Sequence, residues 1–189
     1  MKRIAILASG SGSNAENIAN YFKSNSDVEI SIILSNKKDA FVLERASKLN
    51  IPGQSFNRND FYETNTVVDL LESMQIDLVV LAGFLWLVPD SLIQAFPNTI
   101  VNIHPALLPK YGGKGMYGMN VHNAVIDNKE KESGITIHLV NEKYDDGKTI
   151  LQAKCNIDEN DTAEDLANKI HELEYEHFPR AVESYLNKL

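Results

Sequence analysis

At 189 residues the chain is long enough to bury a full core and corresponds to one domain at ~150 residues per domain. Hydrophobic residues at 43% and charged residues at 23% exclude a disordered chain and a disulfide-stapled miniprotein. A net charge of -8, from 18 basic and 26 acidic side chains, argues against a surface built to hold a polyanionic backbone, while a small phosphorylated ligand stays compatible with a locally positive pocket.

Short β-branched apolar runs alternate with longer amphipathic ones, the pattern of a parallel α/β domain with helices on both faces of the sheet. Strands are expected at Arg3–Ala8, Glu29–Leu34, weakly at Gln54–Phe56, at Asp77–Ala82 and at Thr99–Ile103. The first four are apolar on both pleat faces, as a sheet covered on both sides requires. Helices are expected at Asn14–Lys23, Ala40–Leu49, Asp60–Met74 and Pro89–Phe96. After His104 comes PALLPKYGGKGMYGMN, with two prolines and four glycines in sixteen residues, a loop of a length that is functional or disordered. A helix over Val121–Asp127 follows, then strands at Gly134–Val140 and Thr149–Asn156 joined through NEKYDDGK. The last helix should run from Thr162 to Leu189 with a kink at Pro179, its first turn capped by Asp161 or Thr162 and favoured by the acids that follow. No repeat or linker interrupts the chain, so residues 1–189 are expected to form one domain.

The single Cys155 provides neither an internal disulfide nor a thiolate metal site. The N-terminal apolar run of about five residues is too short for a signal peptide, and no stretch approaches the ~18 apolar residues of a membrane span. A reducing cytoplasm is the expected compartment.

ASGSGSN follows the first strand and opens the first helix, where an α/β sheet presents ligands to a helix N-terminus. Gly10 and Gly12 allow tight backbone geometry, and Ser11, Ser13 and Asn14 offer donors. Three readings stay open: a bare capped turn, a monophosphate site, or a dinucleotide site, the last weakened because Ala15 and Glu16 stand where the fingerprint wants a third small residue.

At the end of the fifth strand, VNIHPALLPKY puts Asn102 and His104 two residues apart, on one strand face at the carboxyl edge of the sheet. Asp145 lies in the loop between the last two strands. A carboxylate near His104 would favour its protonated form, and an imidazolium beside a neutral Asn amide can stabilise a developing oxyanion. The bland alternatives are a strand-end Asn, a packed His before proline and a turn-forming Asp. No Ser or Cys sits in a nucleophile elbow, so direct transfer between two bound substrates is the simpler chemistry. His104 and His138 on neighbouring strands lack the spacing of a zinc site. His171 and His177, six apart, do not stack on one helix face and read as surface or interface residues.

Over nearly the whole chain these residues resemble the phosphoribosylglycinamide formyltransferases of purine synthesis: ILASGSGSN at 6–14, SNKKDAFVLERA at 35–46, DLVVLAGFLWLVP at 77–89, NIHPALLPKY at 102–111, SGITIHLVNEKYDDGKTILQ at 133–152 and HELEYEHFP at 171–179. The resemblance implies a Rossmann-like fold and transfer of the formyl group of 10-formyltetrahydrofolate, a co-substrate, to the amino group of the phosphoribosyl glycinamide, with no metal. It implies a phosphate-binding half over about residues 1–100 and a folate and catalytic half over about 101–189. Gly12, Ser13 and Asn14 would hold the substrate phosphate and Glu174 the ribose. Phe84, Leu85, Trp86, Leu87 and Val88 would form the pteridine pocket, with backbone groups reading the ring, closed on the other side by Val140, Asn141, Tyr144 and Asp145; Asn102 would also meet the folate. Asn102, His104 and Asp145 match the catalytic trio. Trp86 stands where bacterial relatives often carry arginine, the loop at residues 112–120 differs from shorter family versions, and Arg58 is the nearest counterpart of a folate-contacting arginine.

The closest rival, methionyl-tRNA formyltransferase, shares the NIHPALLP chemistry but carries a further C-terminal domain and needs a surface suited to tRNA. A formate-releasing hydrolase would add an N-terminal regulatory domain, and a phosphate-binding module would have no use for the trio. Small-molecule substrates are expected, without nucleic acid or membrane, in a monomer or weak homodimer.

Overall fold

The computed structural model describes residues 1–189. Seven strands follow the order β3-β2-β1-β4-β5-β6-β7, and the chain divides into two compact units, Met1–Val101 and Asn102–Leu189.

In the first unit β1 (Lys2–Leu7), α1 (Ser13–Phe22), β2 (Val28–Ser35), α2 (Phe41–Lys48), β3 (Gly53–Ser55), α3 (Thr66–Ser73), β4 (Leu78–Leu81) and α4 (Asp90–Ala95) follow one another. All the pairings are parallel: Ile6 faces Ile33 of β2 and Val80 of β4, and Leu34 faces Gln54 of β3. Ile4, Ala5, Ile6 and Leu7 are consecutive and all fully buried, which requires cover on both pleat faces. Each large side chain among them contributes ~1.5–3 kcal/mol by leaving water. α1 and α2 both pack on β2, and Ala15, Ile18, Phe22, Val42 and Ala46 are their buried positions. β3 departs from the apolar expectation: it is only three residues long and largely exposed, as an edge strand can be.

The expected helix over Asp60–Met74 is broken in two. Asn57 and Asp60 exchange side-chain to backbone bonds at 2.9 and 3.0 Å, starting a single wide turn, Asn59–Glu63, that closes with Thr64 N–H on the Asn59 carbonyl at 3.0 Å. Thr64 then takes an extended backbone (φ -128°, ψ 167°), its hydroxyl accepting from Thr66 N–H at 3.4 Å. Such short polar side chains compete with the helical ladder for backbone groups, and α3 starts afresh at Thr66.

The second unit holds the end of β5 (Ile100–His104), α5 (Met119–Asp127), β6 (Glu132–Leu139), β7 (Thr149–Asn156) and α6 (Ala163–Leu186). β6 and β7 are antiparallel, with Ile135 opposite Ala153. Gly134 is required there, since a Cβ would lie 2.0 Å from the Ala153 carbonyl oxygen. α5 begins two residues earlier than expected. α6 ends at Leu186 rather than Leu189 and runs through the buried Pro179 as one 24-residue helix. Its cap is Thr162: the hydroxyl accepts from Asp165 N–H at 3.2 Å, and the Asp165 carboxylate accepts from Thr162 N–H at 2.9 Å, a reciprocal capping box. Lys169 fastens the following turn to Asp158 and Asp161 at 2.7 and 2.5 Å.

Candidate active site

The two-residue period of β5 puts Asn102 and His104 on one face, as expected, and both meet partners from the β6 end and the turn behind it. His138, 1% exposed on β6, lies with Nδ1 2.8 Å from the Leu139 carbonyl. A carbonyl only accepts, so we assign the proton to Nδ1, leaving the Nε2 lone pair to accept from Asn102 Nδ2 at 3.1 Å. One Asn102 N–H is thereby fixed and the other remains to donate. The 140–147 turn depends on Gly147, where a Cβ would lie 1.7 Å from the Leu139 carbonyl oxygen, and on Asp145 in the left-handed region at φ 53°. That turn sets Asp145 Oδ2 3.5 Å from His104 Nδ1 and Oδ1 3.7 Å from His138 Nε2. Oδ2 also accepts from Gly113 N–H at 2.9 Å.

His104 is 4% exposed, and its Nε2 donates to the Tyr111 carbonyl at 2.7 Å, leaving Nδ1 as the position that gains a proton beside Asp145. Burial pushes the His104 pKa below its ordinary value and outweighs Asp145 and the Tyr111 carbonyl, which raise it. The carboxylate favours the protonated ring, as the sequence reading expects, while burial of a charged ring opposes it. Asp145 shows the opposite balance. Burial pushes it up, but His138 and His104 in their protonated forms, with the Gly113 amide, more than offset this and hold it below the ordinary range.

In the first unit Gly12 precedes α1 in the left-handed region at φ 74°, and a Cβ on it would lie 2.2 Å from Val42 Cγ2. Only glycine satisfies both constraints. The N-cap of α1 is Gly12, which has no side chain to supply a capping bond, and Ser13 and Asn14 open the helix. Val42 N–H holds the Gly10 carbonyl at 3.1 Å, and Arg45 donates through Nε to the Ser11 carbonyl at 2.8 Å while pairing with Glu16 through its guanidinium.

The segment Phe84–Val88 leaves β4 through Gly83 at φ 72°. Phe84 and Val88 are buried, Trp86 and Leu87 half-buried and Leu85 exposed. Two of its backbone groups are already engaged: Leu85 N–H donates to Ser9 Oγ and the Leu87 carbonyl accepts from Tyr62 Oη, each at 2.9 Å. Trp86 packs among Phe56, Phe61, Tyr62 and Phe84, with ring centroids 5.8–6.4 Å away. Arg58 stacks its guanidinium 5.0 Å from the Trp86 ring and 5.6 Å from Tyr62, a cation–π arrangement.

Of the remaining expected residues, Val140 and Asn141 are half-buried, and Tyr144 is 42% exposed. Asn141 shapes the turn by accepting from Lys143 N–H at 3.0 Å. Glu174 is buried on α6, and His171 pairs with it at 3.0 Å. The sequence reading missed two members of the cluster: His138, weighed only as a metal ligand, and the Tyr111 carbonyl. His138 carried a signal, since it ends a β-branched run just ahead of the Asp145 loop. A backbone carbonyl carries none.

The sequence matches the family described as Formyl transferase over residues 2–182. It is 41% identical, over 89% of its length, to the chloroplastic phosphoribosylglycinamide formyltransferase of Arabidopsis thaliana, and it spans 60% of that protein. With the phosphoribosylglycinamide formyltransferase of Haemophilus influenzae it shares 37% identity over 96% of this chain and 86% of the relative. The crystal structure of phosphoribosylglycinamide formyltransferase from Streptococcus pneumoniae superposes with a TM-score of 0.86 at 36% identity, covering 97% of this chain and 98% of that one. The chain belongs to the phosphoribosylglycinamide formyltransferase family.

Proposed function

We propose that this chain transfers the formyl group of 10-formyltetrahydrofolate to the amino group of the phosphoribosyl glycinamide, as one formyltransferase domain over residues 1–189. The observation that carries the reading is the buried constellation of Asn102, His104, His138 and Asp145, which offers one fixed amide donor and one ionisable imidazole beside a carboxylate.

The glycinamide nitrogen attacks the formyl carbon, forming the new C–N bond while the carbonyl electrons move onto oxygen. The spare Asn102 N–H and the His104 imidazolium donate to that oxygen, a type of contact worth ~10²-fold or more in rate. His104 Nε2–H is held by the Tyr111 carbonyl, so the formyl oxygen must take that carbonyl's place. Protonation at Nδ1 is favoured by Asp145 and opposed by burial. The attacking nitrogen then loses its proton, the bond from carbon to folate N10 breaks, and N10 takes up a proton, giving tetrahydrofolate and the N-formyl product.

Gly12, Ser13 and Asn14 hold the substrate phosphate in this reading, supported by their place at the start of α1 behind the left-handed Gly12, and Glu174 takes the ribose. Phe84, Leu85, Trp86, Leu87 and Val88 are pteridine-binding residues in this reading, and Asn102, Val140, Asn141, Tyr144 and Asp145 are folate-binding residues as well. Arg58 sits beside the folate, already stacked on Trp86. The reaction uses no metal. The protein works on small molecules in the cytoplasm as a monomer or weak homodimer, without nucleic acid or membrane; no helix is long and apolar enough to cross a membrane.

Purified protein with both substrates should yield tetrahydrofolate and N-formyl product in equal amounts. Absence of product with both substrates saturating would overturn the reading. Asn14→Ala should raise the KM for the glycinamide far more than for the folate, and an equal rise for both would remove the phosphate assignment.

A further inference from the structure

The turn that leads into α1 is gripped by α2, which packs on α1. Val42 N–H, from the second residue of α2, holds the Gly10 carbonyl at 3.1 Å, and three residues further on Arg45 Nε donates to the Ser11 carbonyl at 2.8 Å. The same guanidinium pairs with Glu16 of α1 and lies 5.0 Å from the centre of the Phe41 ring. An ion pair between neighbouring helices needs only a charge on a flexible stem, and a partly exposed pair adds little. Arg45 has more than that: a planar fork whose donors reach a carbonyl and a carboxylate at once, where a lysine offers a single nitrogen.

Those bonds set the direction of two successive peptide planes. Both peptides are trans, so each N–H points opposite to its carbonyl. With the Gly10 carbonyl on Val42, the Ser11 N–H is turned away from α2. With the Ser11 carbonyl on Arg45, the Gly12 N–H is turned away from α2 as well. Gly12, left-handed at φ 74°, then passes the chain into α1, its own carbonyl accepting from Glu16 N–H at 2.9 Å. Successive N–H groups turned outward in this way are the makings of an anion-binding concavity. Glu16 compensates the Arg45 charge, so the guanidinium brings orientation to the turn rather than a bare positive charge.

We infer that Arg45 is a positioning residue for acceptor binding: by holding the Ser11 carbonyl it aims the Gly12 N–H at the acceptor's phosphate. This rests on the Gly12–Asn14 turn being the acceptor's phosphate site. Arg45 acts through the turn and touches neither the phosphate nor the reacting atoms.

The experiment compares wild type, R45M, R45K and E16Q by kcat, by KM for both substrates and by the Ki of inorganic phosphate competing with the phosphoribosyl glycinamide. R45M should raise the glycinamide KM about tenfold, the scale of one lost hydrogen bond to a charged partner. The phosphate Ki should rise by the same factor, with kcat and the folate KM unchanged. R45K returns the charge without the fork and should keep most of the loss. E16Q still offers an amide oxygen to the guanidinium and should stay close to wild type, although it bares the charge. Unchanged KM in R45M, an equal loss for both substrates, full recovery in R45K or a lowered glycinamide KM in E16Q would each overturn the inference while leaving the transfer reaction standing. If R45M does not fold, R45K decides alone: a rise confined to the glycinamide and to phosphate upholds the inference, and wild-type values overturn it. Wild type that transfers formyl but is not inhibited by phosphate removes the phosphate assignment and this inference with it. Wild type that transfers nothing removes the proposed function as well.

Discussion

The Gly10–Asn14 turn and the cluster around His104 are built from different materials. The turn is made of backbone: a left-handed Gly12, a helix start without a side-chain cap and a carbonyl held by Val42 N–H. The cluster is made of buried side chains, each oriented by the next, from the Leu139 carbonyl through His138 to Asn102, and from Gly113 through Asp145 to His104. The conformation of a backbone turn tolerates many side-chain changes but not a Cβ in the wrong place. A side-chain network tolerates backbone neighbours but not the loss of one member, because every other member is left buried and under-satisfied.

The sharpest way to break this contrast is to delete donors. His104→Ala and Asn102→Ala should each cut single-turnover transfer by ~10² or more with ligand binding largely kept, as contacts made in the transition state do. Near-normal transfer by H104A would remove the centre.

For the turn, Gly12→Ala should cost ~2 kcal/mol in urea unfolding, from the positive φ and the clash with Val42. Gly10→Ala, with nothing within 4 Å of its Cβ, should be close to neutral. Adding Val42→Ala to G12A relieves the clash and leaves the φ penalty. Equal losses for G10A and G12A would sink the backbone account.

Asp145→Asn should lower turnover and move the basic limb of the rate profile to lower pH, because His104 loses the charge that raises its pKa and keeps the burial that lowers it. An unshifted limb at near-normal rate would take Asp145 out of the mechanism. In stability the signs are separate. His104, depressed in the fold, costs nothing above its ordinary 6.5; below that the unfolded chain binds a proton that the fold resists, so stability falls until the pH passes the folded value. Asp145, also depressed, contributes stability above its ordinary 3.8 that is lost as pH falls through its folded value. The smallest effect belongs to the α6 cap: Thr162→Ala should cost ~1 kcal/mol in thermal unfolding and leave turnover alone.

The same contrast explains what could be read in advance. Gly12 and the strand before it are local patterns, and Asn102 and His104 share a face by strand period alone, so their placement was legible. The Asp60–Met74 helix was misread because its apolar spacing was visible while the competition of Asn57, Asp60 and Thr64 for backbone groups was not. His138 and the Tyr111 carbonyl come to the cluster from separate segments, and no local pattern announces that meeting. The His104 pKa turned on depth of burial, which the neighbouring residue types do not state.

The ends of the strand order carry a consequence for solubility. β3, at one end, is three residues long, too short to template another strand. β7, at the other, is eight residues long and has only exposed and half-buried positions. Its Lys154 pairs with Glu132 of β6 at 2.7 Å, both side chains more than half exposed. A second chain adding itself to that edge would have to crowd this ion pair out of water, a standard defence of open sheets against edge-to-edge aggregation. Replacing Lys154 with an apolar β-former would leave the chemistry untouched and make the protein more prone to self-association during refolding.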